Sequence, residues 1–236
     1  MTIEIKHARL SVIVPVFNEE KTIETIVDRL QAIPEVSEIL IVDDGSTDHT
    51  KEILQSRYSS ESKIHLLSHE RNQGKGYAIR TALKQVRGDV VVIQDADLEY
   101  DPAELPSLLR PIACGKADVV YGSRNLGKEN KEHSYFSFYW GGIFLSWLAN
   151  LLYGIRITDE ATGYKAFRTS VLRSIDLRCR RFEFCPEVTA KISKRKIPIM
   201  EVPIRYNPRR RKEGKKITWK DGAMAIWILF RYRFSD

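Results

Sequence analysis

Val90-Val-Val-Ile-Gln-Asp-Ala-Asp97 sets four consecutive apolar residues, then one glutamine, before two carboxylates spaced at i and i+2. An apolar run without polar alternation suits a strand buried on both faces, the strand type of a parallel sheet covered by helices. In such sheets ligands gather at the carboxyl ends of the strands. The same order recurs upstream. Leu10 to Val14 ends at Pro15, Ile39 to Val42 stops at Asp43-Asp44-Gly45-Ser46, and Ile64 to Leu67 precedes Arg71-Asn-Gln-Gly-Lys-Gly76. Apolar residues at Ile23, Ile26, Val27 and Leu30 predict a helix over 19–30 with Asn18 as its cap. Helices are expected over 50–57 and 77–86 as well. The alternation predicts an α/β chain with a doubly wound sheet.

Beyond residue 100 the alternation loosens. The pattern predicts a helix over 104–112 with Pro106 in its first turn, strands at 119–122 and 162–167, and a helix over 186–193. An edge strand is expected at 199–204 and a terminal helix over 217–232. With 236 residues and no repeat or low-complexity linker, the expectation is one domain spanning 1–236. The 43% hydrophobic and 29% charged content excludes a disordered chain. Cys114, Cys179 and Cys185 form neither a close pair nor a metal-ligand cluster, which fits a reducing, cytoplasmic setting. Glu4, Lys6, His7 and Arg9 interrupt the first ten residues, so no secretory leader is expected.

The loops carry the chemistry. Asp95 and Asp97 can enter one crevice when the backbone turns after the strand, and Mg²⁺ or Mn²⁺ uses few protein carboxylates together with substrate phosphates. Glu99 can join them or remain a solvated glutamate. In the Asp43–Ser46 loop one carboxylate can bind a ribose or base, or cap the next helix. Arg71 and Lys75 flank glycines that allow close approach to a base or phosphates, but the loop is neither a Walker loop nor a dinucleotide fingerprint.

Together these residues resemble the family 2 inverting glycosyltransferases, and among them the polyprenyl-phosphate sugar synthases that include dolichyl-phosphate mannose synthase. The resemblance rests on Val14-Pro-Val-Phe-Asn-Glu-Glu20, Asp43-Asp-Gly-Ser-Thr-Asp48, Arg71–Gly76 and Asp95-Ala-Asp-Leu-Glu99. It continues through Gly122-Ser-Arg124, Thr158-Asp159, Thr162-Gly-Tyr-Lys165 and Arg168. It implies a GT-A fold, with a Rossmann-like nucleotide-sugar-binding half at 8–100 and a metal, acceptor and membrane-surface half at 101–236. It assigns Pro15, Glu19, Asp44, Arg71 and Lys75 to the nucleotide pocket. Asp95, Asp97 and Glu99 go to a Mg²⁺ or Mn²⁺ site, and Arg124 to the acceptor phosphate. Asp159 is the general-base candidate for a hydroxyl acceptor, or else the partner of a positive neighbour. A lipid phosphate is already anionic and needs no strong base. Relatives often carry a second acceptor-binding arginine between 125 and 142; here Lys128, Lys131 or His133 would have to replace it. Cys185 stands where an acidic residue is usual.

The charge is uneven. Residues 191–236 hold 14 Lys or Arg against 4 Asp or Glu, whereas the whole chain carries a net +7. No nucleic-acid module stands beside this tail, and Glu213-Gly-Lys-Lys-Ile217 resembles a section near the end of related enzymes. The resemblance implies a surface for acceptor phosphate and anionic lipid, with Lys215 and Lys216 as acceptor-binding residues; the alternative is a solvated basic flap. Ser134 to Ile155 is free of charged residues. Its serines, Asn150 and Gly141-Gly142 predict two short helices on the protein or at a membrane surface, not a spanning segment. The resemblance implies an enzyme peripheral on the cytoplasmic membrane face that moves a hexose, with mannose from GDP-mannose as the main reading, to a dolichyl or undecaprenyl phosphate. The alternative is a family 2 enzyme using UDP-glucose or another nucleotide sugar with a polysaccharide or other acceptor. A nucleotide-sugar sensor without activity is the competing class.

Overall fold

In a computed structural model describing residues 8–127, 136–209, 216 and 218–235, Val90–Ile93 (β4) is wholly buried and pairs in parallel with Leu10–Val16 (β1). β1 pairs in parallel with Val36–Asp43 (β2), and β2 with Ile64–Ser68 (β3). On the other side of β4 lie Lys165–Arg168 (β6), Val119–Ser123 (β5) and Ile199–Pro203 (β7), giving the order β3-β2-β1-β4-β6-β5-β7. β6 runs antiparallel to both neighbours, and β7 closes the edge in parallel with β5.

The apolar runs read as two-faced, and the packing agrees. Val12 and Val14 of β1, Ile39 and Ile41 of β2, and Val90 and Val92 of β4 face one core, which also takes Ile23–Gln31 (α1) and Leu105–Ala113 (α4). Ile13, Leu40, Val42, Val91 and Ile93 face the other, with Lys75–Leu83 (α3) and Phe184–Lys194 (α7). Successive residues of a strand point to opposite faces, so only an unbroken apolar run can fill both cores. Thr50–Tyr58 (α2) flanks β3, and Thr169–Ser174 (α6) is a short helix that periodicity did not announce.

Two expectations are corrected. Asn18 does not cap α1, which begins after Thr22; Asn18 sits at φ 52°, and its side chain accepts from Thr47 N at 2.8 Å. The uncharged stretch forms one helix, Phe136–Tyr153 (α5), that continues through Gly141 and Gly142. Two glycines weaken a helix by about 1 kcal/mol each. Burial of Leu148 and Ala149 against α7 and Trp219–Phe234 (α8) outweighs that cost. Among the described residues no helix is long and apolar enough to cross a membrane.

Candidate active site

Chain order reverses between β1 and β4, and the crevice at their carboxyl ends is where a doubly wound sheet binds ligands. The end of β1 and the loop after it present Pro15, Phe17 and Glu19 to this crevice. Asn18 N donates to Ser46 Oγ at 3.0 Å and Glu19 N to Thr50 Oγ1 at 2.9 Å, which ties this loop to the one after β2.

Asp44 is 3% exposed, and its carboxylate organises the third loop instead of capping a helix. It accepts from Gln73 N at 2.9 Å and Gly74 N at 2.7 Å, and lies 2.6 Å from Nδ1 of His69. The other nitrogen of His69 is 3.0 Å from Thr81 Oγ1. His69 escaped the sequence reading because a lone histidine after a strand carries no distinctive signal. Gly45, at φ 72°, lies against the Arg71 backbone, where an added Cβ would come within 2.6 Å of the Arg71 carbonyl carbon. The Arg71 side chain is exposed and is not among the cleft-lining residues, so this expected nucleotide contact contributes backbone packing here. Lys75 does enter, its ammonium 2.5 Å from Asp95 Oδ1. Burial pulls the Lys75 pKa down, but the charge and hydrogen bond of Asp95 together with Cys185 and Asp97 more than restore it, leaving it above its ordinary value.

Asp95, Asp97 and Glu99 all line the cleft. Leu98 between them takes φ 60°, the turn that aims successive carboxylates to one side. Burial, then the charges of Asp95 and Glu99, push the Asp97 carboxyl up to about 7 despite the opposing pull of Arg209. Arg209 Nη2 is 2.9 Å from Asp97 Oδ2, while Nη1 and Nη2 reach Glu19 at 3.0 and 3.1 Å. Glu99 accepts from Arg209 N at 2.8 Å and from the Tyr206 hydroxyl at 3.0 Å. Mutually repelling, half-buried hard oxygen donors fit Mg²⁺ or Mn²⁺. Among the described residues no three acidic, histidine or cysteine side chains form a group that could hold a metal, so Asp95, Asp97 and Glu99 do not converge as three ligands here. An open set of this kind suits a cation that takes its remaining oxygens from water and substrate.

Arg124, at the end of β5, is gripped by Asp159: Nε and Nη2 lie 2.7 Å from the two carboxylate oxygens, and Arg124 N donates to Oδ2 at 2.9 Å. The guanidinium stacks over Tyr206, 5.0 Å from the ring centre. Glu201 of β7 holds the other side, accepting from Thr158 N at 2.8 Å and Asp159 N at 3.0 Å. Asp159 is therefore placed as the partner of a positive neighbour, with both oxygens engaged. Lys216 donates to Phe17 O and lies 2.8 Å from Glu19 Oε1, which places it against the loop after β1. Lys215, Lys128, Lys131 and His133 lie outside the described residues. Cys185 is an ordinary packed thiol whose Sγ donates to Thr162 O at 3.4 Å, and burial pushes its pKa up.

The cleft, about 830 Å³, runs from these carboxylates to a mouth between α5 and α8, where Phe144, Trp219 and Ile226 line it. Outside that mouth, α5 exposes Trp140, Phe144, Trp147 and Leu151, and α8 exposes Met224, Trp227, Phe230 and Phe234. The spacings of three, four and seven residues put each set on one helix face.

The model of glycosyl transferase family 2 matches residues 11–176, which include the loops after β1, β2, β3 and β4 as well as Arg124 and Asp159. The chain belongs to that family. This glycosyltransferase is 33% identical over 210 residues to a UDP-N-acetylglucosamine–dolichyl-phosphate N-acetylglucosaminyltransferase of Methanococcus voltae, covering 82% of this chain and 83% of the relative. It is also 33% identical over 217 residues to an undecaprenyl-phosphate mannosyltransferase of Micrococcus luteus, covering 88% and 87%. Several other relatives are longer, and the chain spans 48–59% of them. Among solved structures, glucosyl-3-phosphoglycerate synthase of Mycobacterium tuberculosis, in complex with Mn²⁺, UDP and glucosyl-3-phosphoglycerate, matches with a TM-score of 0.71. The match covers 98% of this chain and 82% of that one at 21% identity, and it shows the GT-A fold.

Proposed function

We propose that this glycosyltransferase moves a sugar, with inversion, from a nucleotide diphosphate sugar to a phosphate carried on a polyprenyl lipid. The observation that carries the reading is the continuity of the cleft from Asp95, Asp97 and Glu99 to an apolar mouth between α5 and α8. A charged headgroup at the carboxylate end and an isoprenoid chain at the mouth match its two kinds of surface.

Asp97, with Asp95 and Glu99, would hold Mg²⁺ or Mn²⁺, which supplies positive charge to the diphosphate when bound. Glu19, Asp44, Lys75 and Pro15 form the donor side. An acceptor phosphate oxygen attacks the anomeric carbon as its bond to the diphosphate breaks on the opposite face. The acceptor is anionic at neutral pH, so Asp159 is not needed as a base. Its pairing supports a positioning role, keeping Arg124 fixed over Tyr206. The division into a donor half at 8–100 and an acceptor half at 101–236 is interlocked, since Arg209 and Lys216 return to the donor side.

For the donor, a UDP-linked sugar has more support than GDP-mannose. The Methanococcus relative is named for UDP-N-acetylglucosamine and the solved neighbour holds UDP, while the Micrococcus relative keeps mannose as the second reading. The exposed apolar faces of α5 and α8 support attachment to a membrane surface, and the cytoplasmic face is where nucleotide sugars are at hand. The test is mass spectrometry of products from UDP- and GDP-sugars with polyprenyl phosphate and Mn²⁺. A sugar-linked lipid phosphate is expected. Transfer only to soluble acceptors would refute the lipid reading.

A further inference from the structure

We propose that Arg181 binds a phosphate group in the cleft, belonging either to the donor diphosphate or to the acceptor; this rests on the transferase reading above. Among the described residues five cations line the cleft: Lys75, Arg124, Arg181, Arg209 and Lys216. Four are held by carboxylates of the same site. Lys75 pairs with Asp95, Arg124 with Asp159, Arg209 with Glu19 and Asp97, and Lys216 with Glu19. A cation already neutralised at 2.5–3.0 Å must break its pair before it can neutralise a ligand. Arg181 stands apart. Its side chain is exposed, and no carboxylate among the described residues pairs with its guanidinium.

The backbone beneath Arg181 is fixed from several directions. Glu183, the nearest acidic residue in sequence, is engaged elsewhere: its two oxygens accept from Arg180 N and Arg181 N, each at 3.0 Å. Arg181 O accepts from Gly76 N at 3.0 Å and Arg180 O from Tyr77 N at 2.9 Å, which clamps this loop to the start of α3. The stem of Arg181 lies against Gly74, where an added Cβ would come within 2.9 Å of Cγ. Gly74 precedes Lys75, whose ammonium reaches Asp95, so Arg181 rises on the flank of the carboxylate site. A guanidinium carried on a fixed backbone, lining the cleft and unpaired with any carboxylate among the described residues, can meet a phosphate with two parallel N–H donors.

Arg180 supplies the control: it has the same charge and lies on the same loop, but it does not line the cleft. Calorimetry on wild type, Arg181→Gln, Arg181→Lys and Arg180→Gln would use two probes, UDP with Mn²⁺ and a short-chain isoprenyl phosphate in detergent. Arg181→Gln is expected to weaken one probe about tenfold, with Arg181→Lys intermediate and Arg180→Gln within about twofold of wild type. Loss confined to the isoprenyl phosphate identifies the acceptor as the source of the phosphate; loss confined to UDP identifies the donor. Unchanged binding of both probes, or an equal loss in Arg180→Gln, overturns the assignment. A wild-type chain that binds neither probe would instead overturn the transferase reading, which keeps the two failures distinct.

Discussion

Glu19 and Asp97 lie after β1 and β4, the two adjacent strands between which chain order reverses, and the Arg209 guanidinium joins them at 3.0 and 2.9 Å. A residue from beyond β7 thus closes over the carboxyl ends of the central strands. It neutralises carboxylates that would otherwise repel one another in a half-buried crevice.

That crevice makes Asp97 costly at neutral pH. Its carboxyl is pushed up to about 7 by burial and by Asp95 and Glu99, against about 3.9 for an unfolded aspartate. The folded chain therefore retains this proton to higher pH than the unfolded chain does. The stabilising contribution is complete below about pH 4 and disappears as pH rises through about 7. Asp97→Asn stays neutral throughout. It is expected to melt above wild type at pH 8, by about 2–4 °C for each kcal/mol recovered, with the gap narrowing toward pH 4. Scanning calorimetry at the two pH values checks this, and an unchanged melting temperature at pH 8 would contradict it. Transfer by the same variant should fall about 100-fold or more.

Asp44→Ala removes the acceptor for two backbone amides and the partner of His69. Leaving buried donors unpaired costs about 1–3 kcal/mol each. Stability in urea should fall by at least that amount, and UDP affinity should fall with it as the loop at 71–76 loses its anchor. Calorimetry that returned wild-type affinity would detach Asp44 from donor binding.

Gly74 takes φ 98°, and an added Cβ would lie 2.4 Å from Arg180 O. The conformation and the space both require glycine. Gly74→Ala should destabilise the chain by about 2 kcal/mol or more, read as a lowered denaturation midpoint. A midpoint equal to wild type would show that the clasp between the two loops yields freely.

Trp147 and Trp227 are 55% and 53% exposed on the neighbouring helices α5 and α8. Replacing both with Ser should reduce co-sedimentation with anionic vesicles several-fold and leave UDP binding intact, because neither ring contributes to the fixed core. Equal sedimentation of the variant and wild type would reject the membrane face.

The uncharged stretch at 134–155 predicts two short helices, and the structure has one. Local composition shows that Gly141 and Gly142 weaken a helix; it does not show that Leu148 and Ala149 will be buried against α7 and α8 and hold it continuous. Asn18 misled for a related reason. It has the chemistry of a cap, but contacts with Ser46 and Thr47 across the crevice claim it first.

By itself the sequence determined the strands and the chemistry at their ends. Val90–Ile93, Ile39–Val42 and Val12–Val14 are apolar without interruption, a pattern that only burial on both faces satisfies, and carboxylates follow each of them within the next loop. Only the tertiary structure decided which charges meet. Arg209 is 112 residues from Asp97, Asp159 is 35 from Arg124, and Arg181 reaches the cleft because its loop is clamped to the start of α3. Such pairings follow from strand order and helix docking. A charged side chain carries no periodicity that announces its partner, so its role is fixed only when the sheet brings distant loops to one edge.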